Sequence, residues 1–173
     1  RLWYKDAVEK KGLVWSEVYI FATDRQPGIT CTIPHYDSRG VLLGVTAVDI
    51  SVLDLSYYLG AMQVTEHSRL FITDASDRLV ALQMRDPKEV DRLFRKKLDD
   101  KVGYDVLKAT DLGDPVLSAI VDVYHQRNDT TAAIRLVQPG GLLHALVIPL
   151  ANDRGINLRI GVIIPDNDIM GAV

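Results

Sequence analysis

The chain has 173 residues, 47% of them hydrophobic and 25% charged, with a formal net charge of -3 and a pI near 5.8. This composition supports a real core in one ordinary domain or two small ones and excludes an intrinsically disordered chain. It also argues against a nucleic-acid surface, because no basic stripe exceeds the short cluster at 92–97, and the lone Cys31 excludes an internal disulfide.

Residues 1–11 carry Leu2, Trp3, Ala7 and Val8 among charges and are expected to form a short helix closed by Gly12. Alternation over residues 15–23, with Tyr19 and Phe21 on one face and Val18 and Ile20 on the other, predicts a strand. After the turn signal Gln26-Pro27-Gly28, strands are expected at 29–36 and 41–49. They are joined by Pro34-His35-Tyr36-Asp37-Ser38-Arg39-Gly40, the sequence form of a hairpin with a longer loop. The second of these strands reads as buried on both faces, and Asp49 closes it. Desolvating an acid alone costs roughly several kcal/mol, so such a residue needs a cationic or hydrogen-bonding partner. A ligand's amino group is one such partner.

Ser51-Val52-Leu53-Asp54 reads as a capping box that opens a helix with the apolar stripe Val52, Leu55, Leu59 and Met62. From Arg69 the pattern restarts, with strands predicted at 70–73 and 79–84 around the tight turn Asp74-Ala75-Ser76-Asp77. Asp86-Pro87-Lys88-Glu89 predicts a helix start, with Val90, Leu93, Phe94 and Leu98 as the buried face and the basic residues of 92–97 as the solvated one. Asp114-Pro115 predicts another helix, turning Val116, Leu117, Ile120, Val121 and Tyr124 inward. Three strands are expected at 131–137, 142–150 and 156–164, followed by a short helix from Asp166-Asn167-Asp168.

A weak internal repeat relates Pro34-x-x-Asp37-x-Arg39-Gly40 to Pro149-x-x-Asn152-x-Arg154-Gly155, each followed by an apolar strand with Gly-Val and then an acid, Asp49 or Asp166. Two units of one design are implied. The second reads as complete; the first has only its last strands, so its opening half is expected before Arg1. No run approaches the roughly 20 apolar residues of a membrane span, and no signal-peptide pattern is present. The sequence begins without methionine, and it is expected to be an excised piece whose flanks hold the membrane segments.

With Arg1-x-Trp3-Tyr4, residues 15–19, Pro27-Gly28-Ile29-Thr30, Tyr36-Asp37-x-x-Gly40-x-x-x-Gly44-Val45-x-x-x-Asp49-Ile50 and Arg159-Ile160-Gly161-Val162-x-Ile164-Pro165, the chain resembles the double Cache domain. That family comprises extracytoplasmic sensors of bacterial membrane receptors, built from two PAS-like units. The resemblance implies an α/β (α+β) fold of two tandem units, each an antiparallel sheet with flanking helices. Residues 1–62 then form the C-terminal half of the membrane-distal unit with its connecting helix. Residues 63–165 form the membrane-proximal unit, and 166–173 an exit segment toward a transmembrane helix.

It further implies a small-molecule ligand, an amino acid or a related amine or carboxylate, bound without cofactor or catalysis in the distal unit. Arg1 and Trp3, with Tyr4 beside them, stand where the family's amino-acid sensors bind the carboxylate; Tyr19 and Asp49 stand where they hold the ammonium group. The residue types suit those roles: a guanidinium engages a carboxylate bidentately, an indole N–H adds a donor, and an aspartate gives a cation a charge-assisted acceptor. Phe21 stands where these sensors often carry a second acid, which favours a ligand with less positive charge or a looser site. A membrane-attached homodimer is expected. An organic-acid sensor and a purely structural ectodomain remain as alternatives.

Other chemistry finds little support. His35, His67, His125 and His144 lack a second ligand at metal-binding spacing, and no nucleotide-binding or nucleophile motif occurs. Asp153, Asp166 and Asp168 lack the loop glycine and terminal glutamate of a calcium site and read as helix capping.

Overall fold

The computed structural model describes residues 2–84, 86–98, 101–127, 131–151 and 155–171. In chain order the elements are α1 (Leu2–Lys10), β1 (Val14–Trp15), β2 (Tyr19–Ile20), β3 (Pro27–Tyr36), β4 (Leu42–Ser51) and α2 (Val52–Gly60). There follow β5 (Arg69–Asp74), β6 (Leu79–Leu82), α3 (Pro87–Phe94), β7 (Arg95–Leu98), β8 (Lys101–Tyr104) and a 3-10 turn at Ala109–Leu112. The chain continues with α4 (Pro115–Gln126), β9 (Ala132–Gln138), β10 (Gly141–Ala151), β11 (Asn157–Pro165) and α5 (Asp166–Met170).

Local chemistry sets most of these boundaries. Asp37 closes the β3–β4 hairpin by accepting from the amides of Arg39 at 2.9 Å and Val41 at 2.8 Å, with Gly40 at φ 80°. Ser51 caps α2 by accepting from the Asp54 amide at 3.0 Å. Asp86 and Asp114, each followed by proline, cap α3 and α4 in the same way. Two larger antiparallel sheets result, beside the two-stranded β7–β8 sheet. In the first, β3 is central, β1 and β2 lie in succession along one edge, and β4 covers the other. The second has the order β6-β5-β11-β10-β9. The main core lies between this second sheet and α4, where Leu117, Ile120 and Tyr124 meet Phe71, Leu79, Val147 and Ile163; it continues into the first sheet through Val18, Ile29 and Val52.

The repeat corresponds to two like hairpins, β3–β4 and β10–β11. Asn152, Asp153 and Arg154, at its second turn, lie outside the described residues. The hairpins differ in one respect. β11 is paired on both sides, by β10 and β5, whereas β4 is paired only by β3 among the described residues. For that reason β4 is not buried on both faces as its apolar run suggests: Leu43 is 70% and Val48 57% exposed, and Asp49 is exposed as well.

Two further expectations are corrected. The strand over 15–23 is broken at 16–18, because Ser16 keeps only half of the ladder: its amide donates to the Thr30 carbonyl at 2.9 Å but its hydroxyl accepts from the Thr30 amide at 2.8 Å, while the Val18 amide turns toward the Asp74 carboxylate at 3.4 Å. The helix from Pro87 stops at Phe94, where Arg95 adopts extended angles (φ -73°, ψ 127°) and starts the β7–β8 hairpin. Leu98 is therefore a strand residue, and the basic cluster divides between helix and strand. Asp91 holds this corner, paired with Arg95 at 2.5 Å and accepting from the Tyr104 hydroxyl at 2.6 Å.

α5 is tied back to the loop after α2. Asp168 accepts from the His67 amide at 2.7 Å and lies 2.9 Å from His67 Nδ1. The neighbouring Thr65 hydroxyl, the His67 amide and then the His67 ring favour the charged carboxylate and pull its pKa down to about 2. A carboxyl whose folded pKa is depressed contributes stability that is present above its unfolded pKa and lost as pH falls through the folded value. This tie should therefore hold at neutral pH and be released only between about pH 4 and pH 2. Hydrogen exchange of the His67 amide checks it: protection that already vanishes near pH 5 contradicts the assignment.

Candidate functional site

A cleft of about 710 Å³ opens between α1, the broken segment 16–23 and β4. Trp3 and Asp6 come from α1, whose placement over β1 and β3 is fixed by the buried Ala7. Val18, Ile20 and Phe21 supply apolar wall, and Ala47 and Asp49 come from β4. The Phe21 ring lies directly over Gly28, where any Cβ would overlap it, and packs edge-on against Tyr19 at 5.2 Å between centroids.

Asp49 is oriented by a relay. The buried Thr30 hydroxyl donates to Asp49 Oδ1 at 2.7 Å, and its oxygen lies 2.6 Å from the Tyr19 hydroxyl. Because threonine has a single hydroxyl proton, already given to the carboxylate, the tyrosine must be the donor to Thr30. Both protons therefore point toward Asp49, whose second oxygen accepts from none of the described residues. The described walls carry Asp6, Glu17 and Asp49 against Arg78, three negative charges and one positive, a net of -2.

Arg78 enters this cleft from the other sheet. It follows the Asp74–Asp77 turn, and its guanidinium pairs with Glu17 and, through Nε at 2.8 Å, with Asp74 Oδ2. Burial opposes its charge, but the bonds to Glu17 and Asp74 outweigh that and hold the guanidinium protonated above its usual range. The turn itself is more than a connection. Asp74 also accepts from the amides of Ser76 at 2.9 Å and Arg78 at 3.0 Å, and Asp77 pairs with Arg159 and lies 3.0 Å from His125 Nε2.

Of the residues expected at the site, Trp3, Tyr19, Phe21 and Asp49 line one cleft. Tyr4 is exposed, stacked edge-on against Trp3 at 6.0 Å, and does not line it. Arg1 lies outside the described residues. Thr30, Asp6, Glu17 and Arg78 were not apparent from sequence; only the Pro27-Gly28-Ile29-Thr30 string marked one of them. Beneath α4 the second sheet leaves a void of about 10 Å³, lined by Phe71, Tyr124 and Arg159 among others, and a polar cleft of about 540 Å³ lies at its edge between the loop after α2, Arg69 and Gln83. Among the described residues no group of three or more His, Cys, Asp or Glu side chains is arranged to hold a metal, and no helix is long and apolar enough to cross a membrane.

Residues 1–57 match the family described as methyl-accepting chemotaxis protein-like, first PDC sensor domain. No curated protein matches the sequence. Solved structures do match the whole chain. The chain shares its fold with the ligand-binding domains of chemoreceptors. The ligand-binding domain of the Pseudomonas fluorescens chemoreceptor CtaA, in complex with L-isoleucine, superposes with a TM-score of 0.58 at 16% identity, covering 100% of this chain and 60% of that one. The sensory domain of the Campylobacter jejuni chemoreceptor Tlp3 with isoleucine bound gives 0.59 at 14% identity, covering 98% and 56%. The ligand-binding domain of the Pseudomonas aeruginosa chemoreceptor PctC with GABA gives 0.55 at 17% identity, covering 95% and 61%. The chain thus spans about three fifths of these ligand-binding domains. The α+β architecture of two antiparallel sheets with packed helices agrees with these neighbours.

Proposed function

We propose that this chain belongs to the extracytoplasmic ligand-sensing region of a transmembrane signal-transduction receptor, and that the cleft under α1 takes a small ligand carrying an ammonium group, an amino acid or a related amine. The observation that carries this reading is Asp49, an accessible carboxylate oriented by the Tyr19–Thr30 relay in walls of net charge -2. An ammonium group gains a charge-assisted bond there, and the apolar wall of Val18, Ile20 and Phe21 receives a carbon skeleton. Isoleucine and GABA, the ligands of the solved neighbours, share an ammonium and a carboxylate group. Arg1, which opens the Arg1-x-Trp3-Tyr4 motif, is assigned to the ligand's carboxylate on the resemblance alone.

The event is read as recognition without chemistry, in keeping with the sensor-domain family that residues 1–57 match. In this reading residues 1–62 are part of the membrane-distal unit, 63–165 the membrane-proximal unit and 166–173 the exit toward the membrane, in a homodimeric receptor. In the same reading, further strands of the distal unit cover the edge of β4 that no described residue pairs, as β5 covers β11.

A thermal-shift screen of the sensor region with its preceding sequence, against amino acids, amines and amine-free acids, tests the proposal, with calorimetry on the hits. Ligand at 100 times its dissociation constant adds about 2.7 kcal/mol, or roughly 5–10 °C for a chain of this size. Stabilisation by amine-containing ligands supports the ammonium site. Stabilisation by amine-free acids alone replaces it with an organic-acid sensor, and no shift across the panel leaves a structural ectodomain.

A further inference from the structure

The Arg78 guanidinium has two carboxylate partners of opposite character. Asp74 is nearly buried, its side chain 5% exposed, and it is fixed by the amides of Val18, Ser76 and Arg78 in addition to the guanidinium. Glu17 is 69% exposed, and its carboxylate has no second partner among the described residues. Both Glu17 and Arg78 line the cleft. An ion pair held on one side by a mostly solvated carboxylate is weak, while the cation it neutralises is anchored by a permanent partner. A guanidinium has five N–H donors in a planar fork, so a carboxylate of better geometry can take the place of Glu17 without disturbing the bond to Asp74.

We propose that Arg78 is a ligand-binding residue supplied by the second sheet to the cleft of the first, and that Glu17 occupies it until an anionic group of the ligand displaces it. The inference rests on the reading of the cleft as a ligand site and specifies its ligand class: amine-containing molecules with a carboxylate able to reach Arg78, such as acidic amino acids. Displacement also has a mechanical consequence. Glu17–Arg78 is a direct tie between the broken segment 16–18 and the β5–β6 turn, and its exchange transfers one contact of the second sheet from protein to ligand.

Calorimetry with L-glutamate and L-glutamine, which differ at one terminal group, tests this on the sensor region with its preceding sequence. Glu17→Gln removes the competitor and should raise the preference for glutamate roughly two- to fivefold. Arg78→Gln should lower that preference about tenfold or more and cancel the gain in the double variant, an outcome that Arg1 cannot produce. A glutamate-to-glutamine ratio unchanged by Glu17→Gln, or a gain that persists without Arg78, overturns the proposal. Glu17 is exposed, so an unchanged ratio in Glu17→Gln overturns the proposal even if Arg78→Gln fails to fold. Failure of the underlying reading looks different: binding of both probes that survives Asp49→Ala, or no binding by any member of the amino-acid panel, removes the ligand site itself.

Discussion

Asp49→Ala is expected to weaken binding of an amino acid about 10- to 100-fold, the loss of one charge-assisted bond of about 1.5–3 kcal/mol, while leaving the unliganded protein as stable as before. The two halves of this expectation have separate causes. Asp49 is exposed, and the only described group that depends on it, the Thr30 hydroxyl, keeps its contact with Tyr19 when the carboxylate is removed. A ligand ammonium has no such substitute. In a thermal-shift assay at a fixed ligand concentration of 100 times the wild-type dissociation constant, the stabilisation should fall from about 2.7 to between roughly 1.4 and 0.4 kcal/mol. Asp49→Asn separates charge from geometry, because an amide oxygen still accepts from Thr30 but provides no counter-charge. Asparagine retaining wild-type affinity assigns Asp49 to orientation alone and removes the ammonium site. Thr30→Val is the complementary change: it disconnects Tyr19 from Asp49 but preserves the charge, and its loss of affinity should be the smaller.

The elements that sequence reasoning placed well are those whose cause is local. Asp37 and Gly40 build their turn within five residues, Ser51, Asp86 and Asp114 cap helices within three, and the alternating strands 132–138, 141–151 and 157–165 pair with their neighbours in order. What escaped depends on distant partners. The break at 16–18 exists because Ser16 and Val18 find Thr30 and Asp74, the latter 56 residues away. The exposure of β4 follows from what pairs its other edge, which an apolar run cannot report. β7 and β8 carry no alternating pattern strong enough to oppose the helix started at Pro87. Trp3, Tyr19 and Asp49, which line one cleft, were singled out together because the motifs of the resembled family mark them. Glu17 and Arg78 are 61 residues apart and read singly as surface charges, and only the packing of one sheet's turn against the other's broken strand brings them together.

The same turn governs the second large effect, which concerns folding and leaves the cleft chemistry alone. Arg159 is 7% exposed on β11, with Nη1 bonded to Asp77, Nη2 donating to the Ala75 carbonyl at 3.1 Å and the guanidinium 5.1 Å from the Tyr124 ring centroid. Arg159→Ala removes these together and leaves a carbonyl and a carboxylate facing a new cavity. Removing one member of a buried pair costs about 3–5 kcal/mol. Asp77 is partly exposed and keeps His125 at 3.0 Å, so a smaller loss, about 2–4 kcal/mol, is expected here. For a chain of this length that is a fall of roughly 4–16 °C in Tm. Arg159→Lys retains the charge but not the fork, and a single ammonium cannot serve Asp77, Ala75 and the Tyr124 face at once, so it should recover only part of the loss. Chemical denaturation of the three proteins provides the check. Equal stability of all three would mean that Asp77 is held by His125 alone and that Arg159 adds nothing to the turn. A graded loss would establish that the β5–β6 turn, which carries Arg78 to the cleft, is positioned from β11.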